Sequence, residues 1–151
     1  MTDSPRKIIM ESITRMLARR EHAYHELLRK LSQKGFAIAD CVPVVDEYKT
    51  AGIQSDARYA EMKVRSGINK GQGPARLKAD CQQWDIDESL VNQALEECEP
   101  DWFELAVKVR HKRFGAGAAQ NDKDKSKQIR FLLYRGFYTE HIQYALSVVE
   151  E

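Results

Sequence analysis

The stretch LSQKGFAIADCVPVV, residues 31–45, decides the fold. Leu31 closes one apolar helical pattern, and Lys34-Gly35 stops it. Glycine suits the left-handed residue just past a helix end, and lysine suits the negative end of the helix dipole. Phe36 follows the turn, and Cys41, Val44 and Val45 then begin a new face at i, i+3 and i+4. The arrangement returns twice. Cys81, Asp85-Ile86 and then Val91, Ala94 and Leu95 carry it once; Leu132, Gly136-Phe137 and then Ile142, Ala145 and Leu146 carry it again. The three copies lie about 50 residues apart. Any amphipathic helix supplies i, i+3, i+4 sites. Repetition is indicated because the phase is held across each turn.

Working outward, helical periodicity fills the chain. Ile9, Ile13, Met16 and Leu17 mark a first helix, and Leu27, Leu28 and Leu31 a second. Asp40 is expected to cap a third, with Pro43 in its first turn, where a missing N–H costs little. Ser55 or Asp56 opens a fourth, Pro74 a fifth and Asp87 a sixth. Asp101 starts a seventh. The polar segment 115–124 reads as a loop, Ile129, Leu132 and Leu133 mark an eighth helix, and Thr139 is expected to cap a ninth. No strand pattern stands out. The expected fold is all-α: three tandem three-helix repeats, at 1–53, 54–100 and 101–151, forming an elongated, curved array. A unit this short buries little alone, so neighbouring units must pack together.

Composition narrows the function. The chain has 151 residues, 42% hydrophobic and 31% charged, with a formal charge of +1. That is a folded composition with no global pull toward nucleic acid or membrane. No apolar run reaches the roughly 18 residues of a membrane span. There is no apolar signal segment, and the three widely spaced cysteines argue against a disulfide framework. A cytoplasmic, membrane-free protein is expected.

Enzyme chemistry finds no footing. His22 and His25 lack a third ligand at metal spacing, and a solvated helix face explains them better. His111 and His141 have no visible partner. Cys41 and Cys81 fall on apolar phases and read as buried small hydrophobes. Gly71-Gln72-Gly73-Pro74 lacks the lysine and hydroxyl of a phosphate loop, so a tight turn is the better account. The helix N-terminus that follows, flanked by Lys70 and Arg76, could still meet an anionic group. Local charge says more: Lys108, Arg110, Lys112, Arg113, Lys123, Lys125, Lys127, Arg130 and Arg135 face only Asp122 and Asp124. With Phe131, Tyr134, Phe137 and Tyr138 nearby, this stretch suits weak DNA contact or docking on an acidic protein groove. The same aromatics also fit core phases.

Specific blocks now speak. Residues 19–31, RREHAYHELLRKL, resemble the opening stretch of the RecX family, regulators of the RecA recombinase. Asp56-Ala57-Arg58-Tyr59 and Lys70-Gly71-Gln72-Gly73-Pro74-Ala75-Arg76-Leu77 resemble its central signature, and residues 127–137, KQIRFLLYRGF, its third block. The likeness runs from about Met16 to Leu146 in order and spacing. Ala23 departs from it, standing where a small hydroxyl residue normally caps the second helix, at a cost of about 1 kcal/mol. The resemblance implies a non-enzymatic, cofactor-free protein of tandem three-helix repeats, taken as a monomer. It would bind in the groove of the RecA filament on single-stranded DNA and lower its growth, ATPase, strand-exchange and coprotease activities. That places it in recombination, DNA repair and the SOS response. The partner-facing residues expected are Arg65, Lys70 and Arg76 in the middle unit and Lys127, Arg130 and Arg135 in the last. A DNA-binding module acting without RecA is the rival, and near-zero net charge disfavours it.

Overall fold

The computed structural model describes residues 4–150. Among them are nine helices and no strand: α1 (Pro5–Arg19), α2 (Tyr24–Gln33), α3 (Ile38–Thr50), α4 (Asp56–Asn69), α5 (Pro74–Gln82), α6 (Glu88–Cys98), α7 (Trp102–Phe114), α8 (Asp122–Tyr134) and α9 (Thr139–Ser147). Every substantial helix–helix interface lies within α1–α3, α4–α6 or α7–α9. Apolar clusters divide the same way. One joins Ile9, Ile13, Leu27, Leu31, Cys41, Val44 and Val45; another joins Ala106, Leu132, Phe137, Ile142 and Ala145. The middle unit carries two smaller ones, around Tyr59 and Cys81 and around Val64 and Leu77. The accessible surface is 9447 Å², against roughly 7,900 Å² for a compact monomer of this mass. The excess is what a train of small units leaves open to water.

The repeat has a hydrogen-bonded basis. The N–H groups of Phe36, Ile86 and Phe137 donate back to the carbonyls of Leu31, Cys81 and Leu132, each bond spanning the turn after the unit's second helix. The intervening residue is left-handed in all three: Gly35 at φ +96°, Asp85 at +58° and Gly136 at +98°. Such an ending satisfies orphan helix carbonyls and sets the angle of the next helix. Two residues after each apolar member the third helix begins, at Ile38, Glu88 and Thr139. Of the nine phase-matched positions, Cys41, Val44, Val45, Val91, Ala94, Ile142 and Ala145 are buried, and Leu95 and Leu146 half-buried.

Three helix starts differ from expectation. The residue capping α3 is Ala37, not Asp40, and Pro43 lies well inside that helix. Its missing N–H falls on the exposed face, where water can serve the freed carbonyl. Tyr138, not Thr139, precedes α9, and the His141 ring Nδ1 accepts its N–H at 3.2 Å. Asn121 caps α8, accepting the Asp124 N–H at 2.8 Å, so the loop is shorter than the polar segment suggested. By contrast Ser55, Asp87 and Asp101 cap α4, α6 and α7 with their side chains.

Candidate partner-binding surface

Two joints hold the three units together, and the signature blocks of the sequence build both. At the first, α2 starts without a side-chain cap of its own because Ala23 has none to give. The next unit supplies it. The Tyr24 N–H donates to Asp56 Oδ1 at 2.9 Å, and Glu26 accepts the Ala23 N–H at 3.1 Å. Buried Gln54 donates from Nε2 to the His22 carbonyl and to Asp56 Oδ1. Arg58 donates to Glu21 Oε1 at 2.9 Å and to the Gly52 and Ile53 carbonyls. Ala23 is fully buried against Tyr59, Cys81, Ile86 and Val91. The expected weak start of α2 is thus corrected: the missing hydroxyl is replaced by a carboxylate from α4.

Titratable groups at this joint are shifted accordingly. Burial lowers the His22 pKa, and the nearby Arg20 and Lys30 charges add to the effect. Its ring bonds to the Arg20 carbonyl and to Lys30 Nζ. His22 is therefore a packed residue preceding α2, not part of a solvated helix face. Burial works against the Glu26 carboxylate, but Arg20 and the Ala23 N–H outweigh it and hold its pKa below the usual value.

The second joint has backbone hydrogen bonds at its centre. The Gly73 and Ala75 N–H groups donate to the Arg135 and Gly136 carbonyls at 2.7 and 3.0 Å. These are N–H groups at the start of α5 that had looked available to an anion; they are occupied. A Cβ on Gly73 would lie 2.5 Å from the Gly136 carbonyl group, and one on Gly136 would lie 2.5 Å from the Arg76 nitrogen. Glycine at both positions is what lets the two turns touch.

Three of the six expected partner-facing residues meet here. The Lys70 carbonyl accepts Arg135 Nη1 at 2.8 Å, leaving the lysine side chain exposed. Arg76 lies over the Tyr134 ring at 5.6 Å and 3.5 Å from Asp80. Arg135 lies over the Phe131 ring at 5.3 Å. Lys127 and Arg130 are exposed on α8, three residues apart on one face. Arg65 is exposed on α4, and among the described residues no hydrogen bond, ion pair or ring contact links it to the other five. Tyr134 is 73% exposed and Phe137 is buried, so the core reading of the aromatics holds for the second and fails for the first.

A cleft of about 400 Å³ opens beside this joint. Its lining has an apolar part (Ile68, Leu105, Val109, Phe131) and five cations: Lys70, Lys108, Lys112, Arg113 and Arg135. No carboxylate is among its described lining residues. Lys108, Lys112 and Arg113 were visible as charge but not as a site; the signal was Lys108 and Lys112 at i, i+4 on one helix face. Arg110, from the same run, points elsewhere. It is fully buried, donating to Gln128 Oε1 at 2.9 Å and to the Gly117 and Val148 carbonyls, and burial lowers its pKa. Nor are His111 and His141 without partners. The first ring lies 3.0 Å from the Val148 carbonyl, and the second packs edge-on to Phe103.

This geometry can be set beside known proteins. A model of the RecX second three-helix domain matches residues 55–95, and one of the third matches residues 99–146. The chain belongs to the RecX family. The regulatory protein RecX of Vibrio parahaemolyticus is 38% identical over 141 residues, covering 93% of this chain and 91% of its own. That of Halorhodospira halophila is 34% identical over 143 residues, covering 95% and 89%. The crystal structure of RecX from Lactobacillus salivarius superposes with a TM-score of 0.70 at 18% identity, covering 94% of each chain. At that identity the likeness is one of fold, and the fold it shares is the all-helical RecX architecture. RecX proteins carry the name of regulators, which is the class this chain joins. Among the described residues no helix is long and apolar enough to cross a membrane.

Proposed function

We propose that this chain is a cytoplasmic negative regulator of the RecA recombinase. It binds in the groove of the RecA–single-stranded DNA filament and inhibits extension, ATPase, strand exchange and coprotease activity. In this reading residues 1–53, 54–100 and 101–151 act as three units laid along the filament, each reaching a different part of it. The observation that carries it is the gathering of Lys70, Arg76 and Arg135 at the second joint, with Lys127 and Arg130 exposed on α8. Lys70, Lys127 and Arg130 offer exposed charge to an acidic protein surface or to phosphate. Arg76 and Arg135 hold the joint with part of their bonding capacity and present the remainder outward. Arg65 adds one exposed cation on α4.

Reversal of Lys127 and Arg130 tests the assignment, because neither is built into a joint. The Lys127→Glu, Arg130→Glu protein should fold normally and lose roughly tenfold or more of its potency against RecA ATPase on single-stranded DNA. Unchanged potency in the folded variant rejects these residues. Titration of the native protein in the same assay separates two modes. Inhibition far below one copy per RecA subunit indicates end-capping, and inhibition only near saturation indicates groove blocking. Tight, steeply salt-dependent DNA binding without RecA would instead favour the independent DNA-binding module.

A further inference from the structure

The cleft at the second joint is a more specialised feature than a docking surface requires. It gathers Lys70, Lys108, Lys112, Arg113 and Arg135 around about 400 Å³ with no carboxylate in its described lining. Lys108 and Lys112, at i and i+4 on α7, repel each other, and such pairs weaken a helix. Among the described residues neither side chain has an ion-pair partner. Arg113 and Arg135 are already oriented, each lying over the Phe131 ring at 5.7 and 5.3 Å. Both guanidinium groups thereby lie at the wall of the cleft. Ile68, Leu105 and Val109 supply apolar surface in the same lining. The cleft is at the small end of ligand-site volumes.

We propose that this cleft binds a free nucleotide carrying two or more phosphates. The phosphate chain would lie among Lys108, Lys112, Arg113 and Arg135. The base would lie against Ile68, Leu105 and Val109, the apolar lining residues other than Phe131, which Arg113 and Arg135 already contact. Charge decides the form bound. A site made of cations without a carboxylate has nothing to hold a divalent metal, so it favours the metal-free polyanion over its magnesium complex. The binding needs no recombinase and stands whether or not the proposed RecA inhibition does.

Calorimetric titration of the full chain with ATP in EDTA tests it. One ATP should bind per chain, weakening as salt or magnesium is added. The Lys108→Glu, Lys112→Glu protein should bind at least roughly tenfold more weakly, as expected for two lost charge-assisted contacts. A charge-matched Lys123→Glu, Lys125→Glu protein, altered outside the cleft, should bind like the native one. Inorganic tripolyphosphate should bind more weakly than ATP, because it leaves the apolar wall uncovered. Failure of ATP to bind at millimolar concentration overturns the proposal. So does equal loss in both double variants, equal affinity for tripolyphosphate, or a requirement for magnesium.

Discussion

The two joints solve one problem with different chemistry. At the first, a carboxylate from α4 caps α2, and the Arg58–Glu21 pair and buried Gln54 complete the contact. At the second, peptide groups meet peptide groups: Gly73 and Ala75 donate to the Arg135 and Gly136 carbonyls, with no room for a side chain between them. A side-chain joint can be weakened by degrees and responds to pH. A backbone joint tolerates no added atom and does not titrate. The cation-lined cleft sits beside the second.

The sharpest test of this difference uses one substitution in two places. Gly35 and Gly136 hold equivalent turns at φ +96° and +98°. A Cβ at Gly35 meets nothing within 4 Å, whereas at Gly136 it meets the Arg76 backbone. Gly35→Ala should cost about 1 kcal/mol, the strain of a left-handed alanine. Gly136→Ala should cost about 3 kcal/mol, because overpacking adds to the strain. Urea unfolding of the two proteins measures the gap, and equal losses would mean that the backbone joint does not bear load.

At the first joint the expected effect is smaller. Asp56→Ala removes the acceptor of the Tyr24 N–H and should cost about 1–2 kcal/mol in the same experiment. Asp56→Asn keeps an oxygen at that position and should recover more than half of the loss.

The smallest effect is in acid. The folded-state pKa of His22 lies below its ordinary 6.5. The unfolded chain therefore binds the proton more readily, and stability falls as pH drops from about 6.5 toward the folded value. Glu26 has the carboxylate form of the same linkage: its contribution is complete above the unfolded pKa near 4.3 and is lost as pH falls through its lower folded value. His141 shifts the same way as His22, again through burial. Between pH 7 and 5.5, amide exchange should show reduced protection at Tyr24 and Tyr138, while Gly73 and Ala75 keep theirs. Parallel loss at all four amides would erase the distinction between the joints.

Much of this was legible in advance. Apolar phase together with start residues such as Ser55, Pro74, Asp87 and Asp101 located the nine helices, and the spacing of Gly35, Asp85 and Gly136 gave the period, because a left-handed turn with an apolar follower leaves a local mark. Helix starts were read less well. Ala37 and Tyr138 precede their helices without a side-chain cap, whereas Asp40 and Thr139 are the nearby residues whose side chains suit that role. For the site, Lys70, Arg76 and Arg135 were singled out as charges, yet their part in the joint was invisible. Arg110 and Lys108 look alike in sequence. They lie two residues apart on α7, so the helix turns one into the core and the other toward the cleft.

What the sequence determined by itself was therefore local: helix phase, turn chemistry and the tally of charge, each set by residues within a few positions of one another. Only the tertiary structure decided which turn touches which, that Asp56 caps a helix 32 residues earlier, and that five cations share one cleft. Those outcomes depend on the angles at which whole units pack. Such angles are set by contacts between segments distant along the chain, for which no short-range pattern exists.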